Sequence, residues 1–360
     1  MNKLQLYTNS EFDPLRLRQD PLADQAVKSL IGNPDWIATI NNWEYIPTTL
    51  PEEFNVELTE FFTFYLQRLD HAQEQDLKPG QDFFAQKGDL YLAMLGFYSL
   101  PYCYAFGDGA EVLVRSQRIV NQIGERLGET GSFVLGLFEP GAFYQLKSTF
   151  LLVAKVRLIH AFSRYFIQHY ASDWKIEYGQ PVNQEDMLGT NLAFSFIVLR
   201  GMIKMGKKPS ENEQQAVLRY WKWIGELMGI DISYWPESSK EAFELDKLIR
   251  RRQLKESEAG KILINSLVRF YEQTIPDDLL KSQLNGILSF FLGKEAAEAL
   301  GLSERIEIPG DILGWMFGYL GWKNYGGKKG FPAIRQNLEL QHKRQFGRVL
   351  GIQLPALTRS

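Results

Sequence analysis

The sequence predicts an all-α protein: a single large helical domain behind an irregular N-terminal arm. Apolar residues recur at helical spacing from residue 54 onward, beginning with Phe54, Leu58, Phe61, Phe62, Tyr65 and Leu66. No run alternates at the period of two that a half-buried strand requires. Gly and Pro fall between the periodic segments, at Glu139-Pro140-Gly141, Gly179-Gln180-Pro181, Lys208-Pro209-Ser210 and Ile308-Pro309-Gly310.

Residues 1–50 are rich in Pro, Asn and Asp and read as an arm with room for one or two short helices; residues 51–360 read as the helical domain. Residues 90–107 carry no charge and lie between Asp89 and Asp108, a length just sufficient to span a bilayer. Pro101, Ser99 and four tyrosines would need polar partners in hydrocarbon, so a buried helix breaking near Pro101 is expected, and no stable membrane span. Helical periodicity then marks 109–127, 142–170, 184–205, 211–228, 240–253, 258–273, 277–292 and 311–321. Asn183 followed by Glu185 and Asp186 is a sound helix start, since a short polar side chain caps the first turn and acids complement its positive end. The aromatic stretch from Trp315 to Tyr325 reads as core. No repeat period or low-complexity linker divides the chain.

Composition excludes several classes of function. A net charge of −3, with basic runs only at Arg250-Arg251-Arg252 and Lys328-Lys329, argues against nucleic acid as a partner. A single cysteine, Cys103, rules out an internal disulfide framework and a cysteine-clustered zinc or iron–sulfur site. Residues 1–10 lack the apolar core of an export signal, which sets a cytoplasmic expectation. No zinc-protease helix, phosphate loop, dinucleotide-binding glycine motif or nucleophile elbow occurs.

The stretch Lys155-Val156-Arg157-Leu158-Ile159-His160-Ala161-Phe162-Ser163-Arg164 is the most informative. Offsets of three and four residues place Arg157 and Arg164 beside His160 on one helical face. The other histidines, His71, His169 and His342, form no metal-spaced pair, so a multi-ligand zinc or non-haem iron site is not indicated. Haem iron already has four porphyrin nitrogens and can be held by one axial histidine, while arginines a turn away can pair with its carboxylates. The same spacing is also met by a core histidine and by arginines paired with nearby Asp or Glu. A second constellation, Arg126-Leu127-Gly128-Glu129-Thr130, puts an arginine and a hydroxyl at i and i+4. The pair could polarise a bound oxygen species or be an exposed arginine with a capping threonine at a helix end.

Together these segments resemble the haem-dependent oxygenase family of the latex-clearing rubber oxygenases and the mycophenolic acid pathway oxygenase, over about residues 85–300. The matching residues are Arg126-Leu127-x-x-Thr130, Val156-Arg157-Leu158-Ile159-His160 with Arg164, Pro181-Val182-Asn183-Gln184-Glu185-Asp186-Met187-Leu188-Gly189-Thr190, and Gly225-Glu226-Leu227-Met228-Gly229. The resemblance implies a globin-like core around haem b with extra helices, and His160 as the iron ligand. It also implies Arg157 and Arg164 on the haem carboxylates, with Arg126 and Thr130 where dioxygen meets an alkene. The implied chemistry is oxidative cleavage of a carbon–carbon double bond in a small hydrophobic, isoprenoid-like substrate, with Glu111 as the candidate base. Latex-clearing members carry a lysine directly before the threonine, where this chain has Glu129. A non-catalytic haem protein or sensor, or a metal-free binder of apolar ligands, would use the same elements.

Overall fold

The computed structural model describes residues 3–116, 122–275, 278–302 and 330–357. Among them no strand forms, only isolated bridges of Phe106 with Leu254 and of Ala142 with Leu146, and helices build one all-α domain. The periodic segment 311–321 and the aromatic stretch Trp315–Tyr325 lie outside the described residues.

The N-terminal arm is more regular than its composition suggests. It holds α1 (Pro21–Gly32) and α2 (Asp35–Asn41). Asp20 starts α1 by accepting the Ala23 N–H at 3.4 Å, and Pro21 occupies a first-turn position where its missing N–H costs nothing. The stripe Ala23, Ala26, Val27 and Leu30 is fully buried. Burying Val27 and Leu30 contributes about 1.5–3 kcal/mol each, which tertiary packing supplies and local composition does not reveal. This stripe packs on α3 (Val56–Leu66), capped by Asn55, and on the long helix described below that carries His160.

Helix α4 (Glu74–Met94) continues through a π-helical segment (Leu95–Ser99) into a last helical stretch (Leu100–Tyr104). The expected break at Pro101 is therefore absent, for a physical reason. The wider turn before Pro101 would point its missing N–H at the Gly96 carbonyl, and that carbonyl instead accepts the Tyr271 hydroxyl at 2.9 Å. The segment expected at 109–127 is two helices, α5 (Gly107–Arg115) and α6 (Ile123–Leu137). The His160 helix, α7, starts at Ser148 and ends at Tyr170, six residues later than its periodicity suggests, because Gly141 and Phe143 hold positive φ values of 86° and 72° in the preceding turn.

Helix α8 (Gln184–Leu192) begins at Asn183 as expected, its side chain accepting the Asp186 N–H at 3.0 Å, and passes through a second π-helical segment (Ala193–Ile197) to Lys204. The two π segments touch: Ser99 donates to the Ala193 carbonyl at 2.7 Å and Tyr91 donates to the Phe194 carbonyl. Side chains of α4 thus satisfy carbonyls that an α-helix would have paired internally. Residues 184–204 are long and apolar enough to cross a membrane by length and composition, but most of that stretch is buried in the protein, as befits a core helix. The remaining helices that matter for the site are α9 (Glu211–Leu227), opened by a complete Ser210/Glu213 capping box, and α10 (Ser239–Gln253).

One buried ion pair ties arm to core. Asp20 and Arg157 are each 4% exposed, and the guanidinium meets the carboxylate twice, Nε to Oδ2 at 2.6 Å and Nη2 to Oδ1 at 2.9 Å. The Leu227 carbonyl accepts from Arg157 Nη1 at 3.3 Å and from the Tyr65 hydroxyl at 2.9 Å. Gly229 closes the pocket over the pair at φ 78°, where an added Cβ would stand 2.5 Å from Asp20 Oδ2. Removing one member leaves a buried charge alone, so Asp20→Ala is expected to cost about 3–5 kcal/mol in urea unfolding. Asp82→Ala, which breaks the exposed Lys78–Asp82 pair, should leave urea unfolding nearly unchanged.

Candidate functional site

Helix α7 presents two different faces. Val156, Ile159, His160 and Ser163 are only half-buried and line a cavity of about 310 Å³, whereas Arg157 and Arg164 are buried, at 4% and 1% exposure. The difference follows from helix geometry. At roughly 100° per residue, offsets of −3 and +4 both rotate a side chain to the same side of His160, by roughly 60° and 40°. Both arginines therefore turn toward α1 while the imidazole turns toward the cavity. Arg157 is committed to Asp20, and Arg164 to Asp24, through Nε to Oδ1 at 2.5 Å. Neither lines the cavity, so the expected pairing of these arginines with a cofactor's carboxylates is replaced by pairing with the N-terminal arm.

His160 stays neutral. Burial pushes its pKa down to about 4, the positive charges of Arg164 and Arg126 push the same way, and Asp20 opposes them weakly. Its Nδ1 is sealed from water and has no hydrogen-bond partner. A neutral imidazole is the form that binds a metal. Among the described residues no three His, Cys, Asp or Glu side chains converge as a metal cluster.

The α6 wall carries Arg126, Glu129 and Thr130, all lining the cavity. Arg126 Nη1 donates to Glu129 Oε2 at 3.0 Å, and the Thr130 hydroxyl donates to the Arg126 carbonyl at 2.8 Å. These residues do not end a helix, since α6 runs on through Gly131 to Leu137. Thr130 is therefore no C-terminal cap; its oxygen retains acceptor capacity toward the cavity.

Glu111 is not among the cavity-lining residues. Gly109, Val112 and Leu113 of α5, and Ser116 just past its end, face the space, while Glu111 turns aside to pair with Arg115, which also binds Asp173. A one-residue step along a helix rotates a side chain by roughly 100°, enough to move a carboxylate from cavity to flank. The geometry thus gives Glu111 no place as a base.

Three carboxyl groups do line the cavity: Glu129 of α6, already paired with Arg126, and Glu185 and Asp186 of α8. Composition marked Asp186 only as a helix-start acid. What reveals its second face is the spacing Val182, Asp186, Gly189, Thr190, all of which line the cavity. Asp186 Oδ1 accepts from Arg16 Nη1 at 3.2 Å and Oδ2 accepts from Asn183 Nδ2 at 2.8 Å. Burial nevertheless raises its pKa to about 7; Arg16 opposes that rise, while Glu185 and Asp108 add to it. Beside it Glu185 is fully buried and consumed by Arg252, at 2.8 and 3.0 Å, and by Gln253.

The sequence matches the family described as ER-bound oxygenase mpaB/B'/Rubber oxygenase, catalytic domain, over residues 104–317, more than half of the chain. The chain belongs to this family. The match begins and ends somewhat later than the region of about 85–300 read from the motifs. A rubber oxygenase of Streptomyces sp. (strain K30) is 21% identical over 299 residues, spanning 79% of this chain and 71% of that protein. The structure of latex clearing protein LCP in the closed state superposes with a TM-score of 0.70 at 19% identity, covering 94% of both chains, which shows a shared fold. As a member of the oxygenase family the chain carries an oxygenase catalytic domain, and the residues lining the cavity on α7 lie within the matched region apart from Leu100, Cys103 and Ile352.

The residues present fit a haem on one count and depart on another. A single neutral imidazole on the wall of a largely apolar cavity suits an axial iron ligand. Arg157 is spoken for by Asp20, while Arg164 gives its Nε to Asp24 and keeps Nη1 and Nη2 buried without a partner; of the expected set, Arg126 is the guanidinium that lines the cavity.

Asp186 makes stability depend on pH. Its folded pKa lies above the unfolded value, so the native chain holds an extra proton between about pH 4 and 7, and stability present below that window is lost as pH rises through it. Asp186→Asn should therefore gain on the natural chain by roughly 3–4 kcal/mol between pH 4 and 8 in urea unfolding.

Proposed function

We propose that this chain is a haem b-dependent oxygenase that cleaves a carbon–carbon double bond in an unsaturated, isoprenoid-like molecule with dioxygen, giving two carbonyl fragments. The observation that carries the reading is His160: neutral, with Nδ1 unpartnered, on the wall of a cavity whose lining is mostly Leu, Ile, Val, Phe and Met, in a chain of the oxygenase family. The Streptomyces relative is a rubber oxygenase, which supports an apolar alkene as the substrate class.

Haem iron, when bound, supplies the activation of dioxygen. His160 would hold the iron. The apolar walls would exclude water and hold a substrate that offers no charge to grip, so shape and desolvation select it. Arg126 would orient an oxygen atom, since a guanidinium has five N–H donors and Glu129 fixes its direction. The Thr130 hydroxyl, held by its bond to the Arg126 carbonyl, would present its oxygen as an acceptor at the same wall.

The test begins with haemin added to the purified protein. An intense Soret band is expected, together with its loss in His160→Ala. Aldehyde or ketone products from a panel of polyprenoids are expected next. A natively folded protein that shows no Soret band after supplementation would overturn the reading, and a band without carbonyl products across the panel would leave a haem-binding protein rather than an oxygenase.

A further inference from the structure

The cavity is apolar on most sides, yet one wall holds a carboxyl group that needs explaining. Asp186 retains 16% side-chain exposure, and the cavity is what it lines. A carboxyl group facing an apolar space loses hydration, an expense of several kcal/mol unless hydrogen bonds replace the water. Arg16 and Asn183 supply two such bonds. A carboxylate has about four acceptor sites, so two further donors can be taken.

The surroundings point to a ligand supplying one. Gly109 of α5 lines the cavity beside Asp186, an added Cβ there standing 4.0 Å from its Cγ. Thr190, on the same face of α8, spends its hydroxyl proton on the Asp186 backbone carbonyl at 2.8 Å and keeps an acceptor oxygen at the cavity. Gln253, 3% exposed and also a lining residue, leaves its Oε1 without a hydrogen bond while its Nε2 donates to Glu185. The α8 wall therefore offers the cavity the acceptor oxygens of Asp186 and Thr190, which a pure hydrocarbon would leave unsatisfied, while Gln253 Oε1 lies sealed behind it.

We propose that Asp186 is a specificity-determining residue that accepts a hydrogen bond from a hydroxyl group of the substrate, so the preferred ligand is an unsaturated, isoprenoid-like alcohol or phenol rather than a pure hydrocarbon. This rests on the reading of the cavity as the alkene-binding site, and it adds a polar end to that substrate. The hydroxyl would seat against the α8 wall while the apolar chain lies along α5 and α7. Arg16 acts as a positioning residue: it holds Asp186 from the N-terminal arm, itself braced by Asp108 and the Tyr178 carbonyl.

The experiment compares three probes of one skeleton, farnesol, farnesyl methyl ether and β-farnesene, at a pH of about 8.5, where Asp186 is ionised and can only accept. Binding is followed by quenching of tryptophan fluorescence, since Trp221 lines the cavity, with the protein as purified and again after haemin loading. Farnesol is expected to bind about tenfold or more tighter than the ether or the hydrocarbon, in line with a hydrogen bond to a charged or strongly polar acceptor. Asp186→Leu should bring the ratio of farnesol to β-farnesene affinity to within about twofold of one. Equal binding of farnesol and its methyl ether by the natural chain would overturn the proposal, and that comparison needs no variant to fold. A preference for farnesol that survives in folded Asp186→Leu would also overturn it. A missing Soret band in the haemin-loaded sample bears on the oxygenase reading alone, because the ratio among the three probes is measured independently of it.

Discussion

The structure depends on the buried pairing of Asp20 with Arg157. Two charges, each nearly sealed from water, are tolerable only because the guanidinium and carboxylate meet in parallel and the Leu227 carbonyl takes a further N–H. Arg157 belongs to the helix that carries His160, Asp20 starts the helix that covers it, and Leu227 closes α9. The pair thus fixes the rotation of α7 about its own axis. With Arg157 and Arg164 held toward the N-terminal arm, the residues rotated by roughly 40–60° from them, His160 first, must face the cavity.

The arm performs the same service on the opposite wall. Arg16 reaches Asp186 and Asp108, and backbone bonds from Gln180 and Gln184 to the Arg16 and Arg18 carbonyls, both at 2.9 Å, stitch the arm to the start of α8. A segment whose composition suggests a loose wrapping is the element that sets both functional walls. Its charges act through desolvated geometry: pairs as exposed as Lys78–Asp82 are loosened by water and salt, and the pairs at Asp20 and Asp24 are not.

Much of this was legible in the sequence. Helical periodicity and capping chemistry are local properties, so the all-α class and the Asn183 start of α8 could be read directly. The family resemblance rested on the same local motifs. What escaped is long-range or rotational. Asp20 lies 137 residues from Arg157, so no spacing rule could reveal why the arginine was there. Glu111 and its cavity-lining neighbour Val112 differ by one step on a helix, and only packing decides which turns inward. The π segment before Pro101 depends on a Tyr271 hydroxyl 175 residues away from Gly96. Asp186 was visible as a helix-start acid, but its second role required knowing which side of α8 is empty.

The central claim is that the α7 arginines position the helix while His160 meets the cofactor, and a haemin titration followed at the Soret band tests it most directly. The variant carries Asp20→Leu and Arg157→Met together, replacing the buried pair by apolar groups of similar size so that packing is kept and no charge is stranded. The account predicts a folded protein whose haemin affinity stays within about twofold of the natural chain. A variant with native circular dichroism and unchanged urea unfolding, so that α7 keeps its packing, but haemin affinity weakened tenfold or more would show that Arg157 contacts the cofactor itself, and would contradict the account.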